Sequence, residues 1–235
     1  MKNSRNKGEN VVVTGYPGTE VFLRPDYHPS EVWKPQETNK KRIIWAPHHT
    51  IDGDFAISSF LQFYETMPKL AKEYGDKVQF VFKPHQLLKF KLQQIWGIER
   101  TEKYYSQWQE MPNCQLEESS YVDLFLTSDA MIHDCGSFSV EYLFTRKPVL
   151  FTTQDLAAVT KNQNDIGREA VFSHYQGATK EAICSFVEDV VLGGSDPMKA
   201  QREAYYDKYL RPPGGRSVAD NIYREILTGL KFTEV

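Results

Sequence analysis

The chain has 235 residues, 40% of them hydrophobic, enough to bury one full core and at most a small appendage. Its 28 basic and 31 acidic side chains give a net charge of -3 with both signs interspersed, which argues against a surface built to follow a polyanion and so against nucleic acid as a partner. The three cysteines, Cys114, Cys135 and Cys184, lack CxxC spacing and cannot form an even-numbered disulfide framework, and no leader-like or membrane-spanning apolar run occurs. A reducing, cytoplasmic setting is therefore expected.

Met1 to Asn10 reads as a polar tail, and Val11 to Thr14 as a short strand ending in the turn Gly15-Tyr16-Pro17-Gly18. Pro25, Pro29 and Pro35 leave little room for regular structure between Thr19 and Lys41, so this stretch either drapes over a surface or connects two domains. Positions 1–41 are accordingly read as tail and linker, and 42–235 as the folded domain. From Arg42 onward strands alternate with helical stretches. Ile43 to Ala46 is the first strand, and apolar residues from Phe55 to Tyr74 recur at helical spacing, with Pro68 expected to bend or divide that helix. Val78 to Phe82 is the second strand, followed by helices at Gln86 to Trp96 and Thr101 to Gln109. Cys114 to Leu116 is a short third strand, Tyr121 to Leu126 a brief helix, Ala130 to His133 the fourth strand, Phe138 to Phe144 a helix, and Pro148 to Phe151 the fifth strand. The last third is helical at Lys180 to Leu192, Pro197 to Leu210 and Ser217 to Leu230. Right-handed crossovers of this kind give an α/β fold with an open, doubly wound parallel sheet and a helical C-terminal extension.

In such a sheet ligands bind beyond the carboxyl ends of the strands, and three of those ends carry polar clusters. They are Pro47-His48-His49-Thr50, Lys83-Pro84-His85 and His133-Asp134-Cys135-Gly136-Ser137. The third leads into a helix, where free amides, the positive end of the helix dipole and the hydroxyls of Ser137 and Ser139 favour a phosphate. Ser137 or Ser139 acting as an ordinary N-cap explains the same residues, and Asp134 fits either a ribose contact or a turn-stabilising role. Gly214-Gly215-Arg216-Ser217 is either a second anion-binding turn or a plain helix start. His48 and His49 with Asp52 and Asp54 suggest a metal. Adjacent residues of an extended loop point in opposite directions, however, so no metal is expected, and Lys83, His85, Arg146 and helix dipoles are left to neutralise phosphate charge. The run Tyr104-Tyr105-Ser106-Gln107-Trp108 reads as a packing face.

Taken in order, Trp45 to Thr50, Lys83-Pro84-His85, Tyr121 to Phe125, Ser128 to Ser137 and Lys147 to Phe151 resemble the CDP-glycerol glycerophosphotransferase family, which makes teichoic acid and related capsule polymers. The resemblance runs from about Val11 to Leu230. It implies a GT-B transferase in which two Rossmann-like domains face each other, with this chain corresponding to the C-terminal, donor-binding one. It further implies catalytic roles for His85 and His48, with the charge of His85 stabilising the leaving phosphate oxygen. Donor contacts would come from Pro47, His49, Lys83, His133, Asp134, Gly136, Ser137 and Ser139, and more loosely from Gly215 and Ser217. Where the family usually has Thr-Asp-Tyr-Ser-Ser this chain has His133-Asp134-Cys135-Gly136-Ser137, exchanging a hydroxyl for an imidazole and leaving the donor open among CDP-glycerol, CDP-ribitol and other CDP-polyols.

On this reading the chain holds a CDP-polyol donor without any cofactor. A polymer or lipid-linked acceptor and an N-terminal GT-B domain, in cis or in trans, complete the reaction, with peripheral contact at the inner face of the membrane. Two alternatives stand beside it: a UDP-sugar glycosyltransferase or epimerase of the same fold, and a non-catalytic nucleotide-binding module.

Overall fold

The computed structural model describes residues 8–9, 11–53, 56–153, 155–161 and 163–231. Six parallel strands form one sheet: β1 Lys41–Ala46, β2 Val78–Phe82, β3 Cys114–Leu116, β4 Ala130–His133, β5 Val149–Phe151 and β6 Tyr175–Gln176, in the order β3-β2-β1-β4-β5-β6. This order reverses direction between β1 and β4, where successive crossovers leave by opposite faces and a crevice opens beyond the strand ends. The register pairs Trp45 with Phe82 on one side of β1 and Ala46 with His133 on the other, so the three polar strand ends finish side by side.

Alternation along the strands divides the core into two layers. Ile43, Trp45, Phe80 and Phe82 face one layer, closed by Phe60, Tyr104, Tyr105 and Trp108; Ile44, Ala46, Val81 and Met131 face the other, closed by Phe125, Tyr142 and Leu143. Trp45 and Phe82 stack with ring centroids 5.0 Å apart, and Trp108 covers both. The aromatic run at 104–108 is thus a packing face, on α4 Ile98–Glu110.

The other helices are α1 Phe60–Phe63, α2 Thr66–Glu73, α3 Leu88–Trp96, α5 Val122–Thr127, α6 Phe138–Glu141, α7 Leu156–Lys161, α8 Asp165–Phe172, α9 Lys180–Ser185, α10 Lys199–Tyr205 and α11 Val218–Lys231. The chain breaks at Tyr64 and Glu65, ahead of Pro68, which sits in the first turn of α2, where its missing N–H costs no helical bond. The strand expected at Val11 to Thr14 is absent: no sheet edge lies beside it, and the segment instead docks on the start of α11, where Asn221 Nδ2 donates to the Thr14 carbonyl at 3.2 Å. Residues 17–41 carry a 3-10 helix, Pro17–Leu23, and pack on the domain through Phe22 against Phe125 and Phe144, and through Trp33 Nε1, which donates to Thr127 Oγ1 at 2.9 Å. Asp54 and Phe55 lie outside the described residues, as does most of the 1–10 tail. No helix among the described residues is long and apolar enough to cross a membrane.

Candidate active site

The loop after β1, the loop after β2 and the turn after β4 enclose a cavity of about 240 Å³ lined by Pro47, Lys83, His85, Tyr121, Cys135 and Ser137. Backbone bonds hold the first two loops together: the amide of Lys83 donates to the Trp45 carbonyl at 2.8 Å and that of His85 to the Pro47 carbonyl at 3.0 Å. Lys83 is only 6% exposed and donates through Nζ to the Ser119 carbonyl at 2.7 Å. Burial pushes its ammonium down from the ordinary lysine value, while Glu117 and Glu118 pull it up.

His48, His49 and His85 are gathered beside this cavity with their rings tilted or edge-on to one another. Their ring centroids are 4.1 Å apart for His48–His49, 4.7 Å for His48–His85 and 4.1 Å for His49–His85. This overturns the expectation that the two adjacent imidazoles point apart. The chain turns directly after the pair, where the Ile51 amide donates to the His49 carbonyl at 2.9 Å and closes a three-residue turn around Thr50. His48 is pushed down to about 4 by burial and then by His49 and His85; burial also lowers His49 and His85, with Lys91 acting on the former and His49 and Lys83 on the latter. All three rings are therefore neutral near pH 7, and the positive charge expected of His85 is carried instead by Lys83. The Leu87 amide donates to His85 Nδ1 at 3.1 Å, which leaves Nε2–H as the donor of the neutral ring.

Several residues expected to touch ligand are enclosed instead. Asp134 is 1% exposed and its carboxylate accepts from the His48 amide (2.5 Å), the Ser59 amide (2.6 Å) and the hydroxyls of Ser58 and Ser59 (2.9 Å each). It fastens the β1 loop to the end of β4; burial raises its carboxyl above the ordinary value against the pull of those four donors. His133 is fully buried, with Nδ1 accepting from the Cys135 amide at 3.1 Å, and Ser139 is buried with its hydroxyl on the Cys135 carbonyl at 3.1 Å. Gly215 and Ser217 line a different cavity, of about 440 Å³, with Arg24, Arg211 and Arg216, and Ser217 Oγ accepts from the Asp220 amide as a plain helix cap.

The turn itself is smaller than expected. α6 is a single turn before the chain tightens into the 3-10 segment Tyr142–Thr145, so little dipole accumulates, and the Cys135 thiol leans on the Ser137 hydroxyl at 3.5 Å and on the amides of Ser137 and Phe138. Ser137 does not cap α6; its side chain is exposed, and a Cβ added at Gly136 would meet open space. Ser58 and Ser59 went unnoticed in the sequence, although a Ser pair directly before a helical stretch is a capping signal. Here both hydroxyls donate to Asp134, and Ser58 Oγ also accepts from the Phe60 amide at the start of α1 at 3.2 Å.

A parallel sheet in this strand order, with a cavity at its switch point, defines a doubly wound, Rossmann-like domain with a GT-B-like fold. Residues 1–227 match the sequence profile of the CDP-Glycerol:Poly(glycerophosphate) glycerophosphotransferases, and the chain belongs to that family. Among solved structures it is similar to a single-residue variant of the wall teichoic acid polymerase TagF, with 20% identity and a TM-score of 0.52, over 82% of this chain and 45% of that one. It is also similar to TagF itself, with 16% identity and a TM-score of 0.50, over 96% and 50%. A UDP-N-acetylglucosamine 2-epimerase shares 14% identity and a TM-score of 0.54, over 100% and 55%. Likeness at these identities is one of fold, and the chain spans about half the length of the proteins it matches. No curated protein sequence matches it significantly.

Proposed function

We propose that this chain is the donor-binding half of a transferase that moves glycerol phosphate, or a related polyol phosphate, from a CDP-activated donor to a polymer or lipid-linked acceptor. The observation that carries this reading is the meeting of three strand ends around one cavity at the switch point, with Lys83 as its cation and Ser137 and His85 as its hydrogen-bonding groups. An acceptor hydroxyl attacks the β-phosphorus, the bond to the bridging oxygen breaks, and CMP leaves with the electron pair. Charge building on that oxygen and on the phosphoryl oxygens is met by the Lys83 ammonium and by Nε2–H of neutral His85. His48 orients the same ensemble through the hydrogen bond that its backbone amide donates to Asp134. A cavity of about 240 Å³ suits the diphosphate rather than a whole nucleotide. The remainder of the donor extends toward the adjoining cavity of about 490 Å³, which shares Ser137 and is walled by Tyr16, Phe144 and Arg211.

A second Rossmann-like lobe, in cis or in trans, supplies the acceptor site and the base that takes the hydroxyl proton. Val11, Val12, Val13 and Tyr16, 49–63% exposed, form an apolar strip beside the larger cavity that such a lobe would cover. A lipid-linked acceptor brings the reaction to the inner face of the membrane.

Thermal unfolding with added nucleotide tests the donor assignment. CDP-glycerol is expected to raise the midpoint more than UDP-N-acetylglucosamine, since a ligand at about 100 times its Kd adds about 2.7 kcal/mol to the folded state. A folded sample with no shift at millimolar CDP-glycerol sinks the proposal. A shift confined to UDP-sugars transfers the site to sugar-nucleotide chemistry.

A further inference from the structure

The three gathered imidazoles have no assigned partner of their own kind. One nitrogen from each of His48, His49 and His85 lies within 4.8 Å of one from each of the other two. No hydrogen bond joins the rings among the described residues, yet they pack at centroid distances of 4.1–4.7 Å, close enough for their nitrogens to share one ion. The three rings form a nearly even triangle, and the Nδ1 of His49 is shut from solvent with no hydrogen-bond partner among the described residues. Leaving such an atom unsatisfied costs about 1–3 kcal/mol, so an occupant that engages this ring is favoured.

We propose that His48, His49 and His85 form a three-imidazole site for a divalent transition metal of the zinc class. Three neutral nitrogens are the donor set that borderline metals select, and all three rings are partly exposed, which leaves an open coordination position and an entry path. His48 carries the accessory contact such ligands commonly have: its Nδ1 lies 2.9 Å from Thr50 Oγ1, so a ring that donates there presents Nε2 to the ion. The Asp52 carboxylate acts on His49 but is held by Lys91 at 2.7 Å, whose ammonium acts on the same ring more strongly, so the site rests on its imidazole nitrogens rather than on nearby negative charge. Harder ions such as magnesium prefer oxygen ligands and are expected to be refused. His85 is the costliest of the three to recruit. Whichever of its nitrogens binds, the bond from the Leu87 amide to Nδ1 is given up, because that lone pair is then either metallated or protonated; ligation through Nδ1 keeps the Nε2–H that the proposed transfer uses, whereas ligation through Nε2 removes it. Since His85 also walls the phosphate cavity, a bound metal adds positive charge at its rim. The site does not depend on which nucleotide the cavity takes.

Zinc titration of the intact chain, followed by calorimetry and by the imidazole nitrogen resonances, tests this without reference to turnover. One equivalent is expected to bind with a micromolar or tighter Kd and to shift three of the six histidines, leaving His28, His133 and His174 unmoved. Magnesium is expected to shift none. His49→Gln should weaken zinc by about 100-fold, Thr50→Val by about 10-fold, and His85→Gln less than His49→Gln. The unsubstituted protein already decides the matter: zinc that leaves these three resonances in place, or perturbs the buried pair instead, overturns the site. So does an unchanged Kd in a folded His49→Gln protein.

Discussion

Asp134 shows how much one side chain decides here. Its carboxylate gathers two amides and two hydroxyls from the loop that carries His48 and His49, so both imidazoles take their places from it without its touching ligand. In Asp134→Asn the amide nitrogen of the new side chain faces donors, leaving at least one buried N–H or O–H unpaired. A loss of about 2–4 kcal/mol in urea unfolding is expected, together with loss of the nucleotide-induced thermal shift. Unchanged stability would mean that the loop is held by other contacts. Ser137 should behave in the opposite way. Among the described residues its exposed hydroxyl has only the Cys135 sulfur as a hydrogen-bonding neighbour, at 3.5 Å, so Ser137→Ala should leave the ligand-free midpoint within about 0.5 kcal/mol of the parent and weaken CDP-glycerol by about 3- to 10-fold. A full nucleotide response in that variant would remove Ser137 from the site. Both residues lie in the same short sequence stretch, and nothing in the pattern separates the sealed carboxylate from the open hydroxyl. The difference arises from Ser58 and Ser59, some 75 residues upstream.

At the scale of elements the sheet was legible and its edges were not. β2, β3 and β4 announce themselves as short apolar runs bounded by turn residues, and the structure keeps the expected bounds for all three. β6 has two residues and exists only because β5 offers it an edge, so periodicity has nothing to register. The continuous helices read at 180–192 and 197–210 each widen into a π-helical stretch, Phe186–Leu192 and Tyr206–Leu210. The amides of Gly193 and Arg211 bond carbonyls five residues back, a register that hydrophobic spacing does not reveal. The second helix is pinned to the sheet by a charged contact as well as by apolar ones. Arg202 on α10 is fully buried, pairs with Asp196, donates through Nε to the Arg146 carbonyl at 3.2 Å and lies over the Tyr175 ring of β6. Removing one member of such a pair strands the other charge, so Asp196→Ala is expected to cost about 3–5 kcal/mol in urea unfolding. The double substitution Asp196→Ala with Arg202→Met should recover most of that loss, and a single variant as stable as the parent would show that Arg202 has water or another partner.

For the whole molecule, the two imidazoles least connected with ligand are the most deeply buried contributors to the response to acid. His133 and His174 are both fully buried, 5.2 Å apart between ring centroids, and each has one hydrogen-bonded and one unpartnered nitrogen among the described residues. Burial lowers His133 to about 3, and burial together with His133 drives His174 well below the ordinary histidine value. Both groups are depressed in the folded state and close to about 6.5 in the unfolded chain, so the unfolded state takes up the extra protons as pH falls. Their contribution is fully present above about pH 6.5 and is lost progressively toward the folded value near 3 for His133. Each group approaches a slope of about 1.4 kcal/mol per pH unit, so the pair removes about 3 kcal/mol by pH 5.5, a large part of the roughly 5–15 kcal/mol typical of a domain. Asp134, raised in the folded state, acts in the opposite sense. Urea midpoints at pH 7.5, 6.5 and 5.5 should therefore decline below 6.5, and His133→Gln, whatever its starting stability, should decline less steeply, with His174 and the depressed rings of His48, His49 and His85 keeping the rest of the slope. A profile that stays level to pH 5.5 would mean that the folded protein protonates these rings readily, and the enclosed end of β4 would have to be wetter than its burial implies.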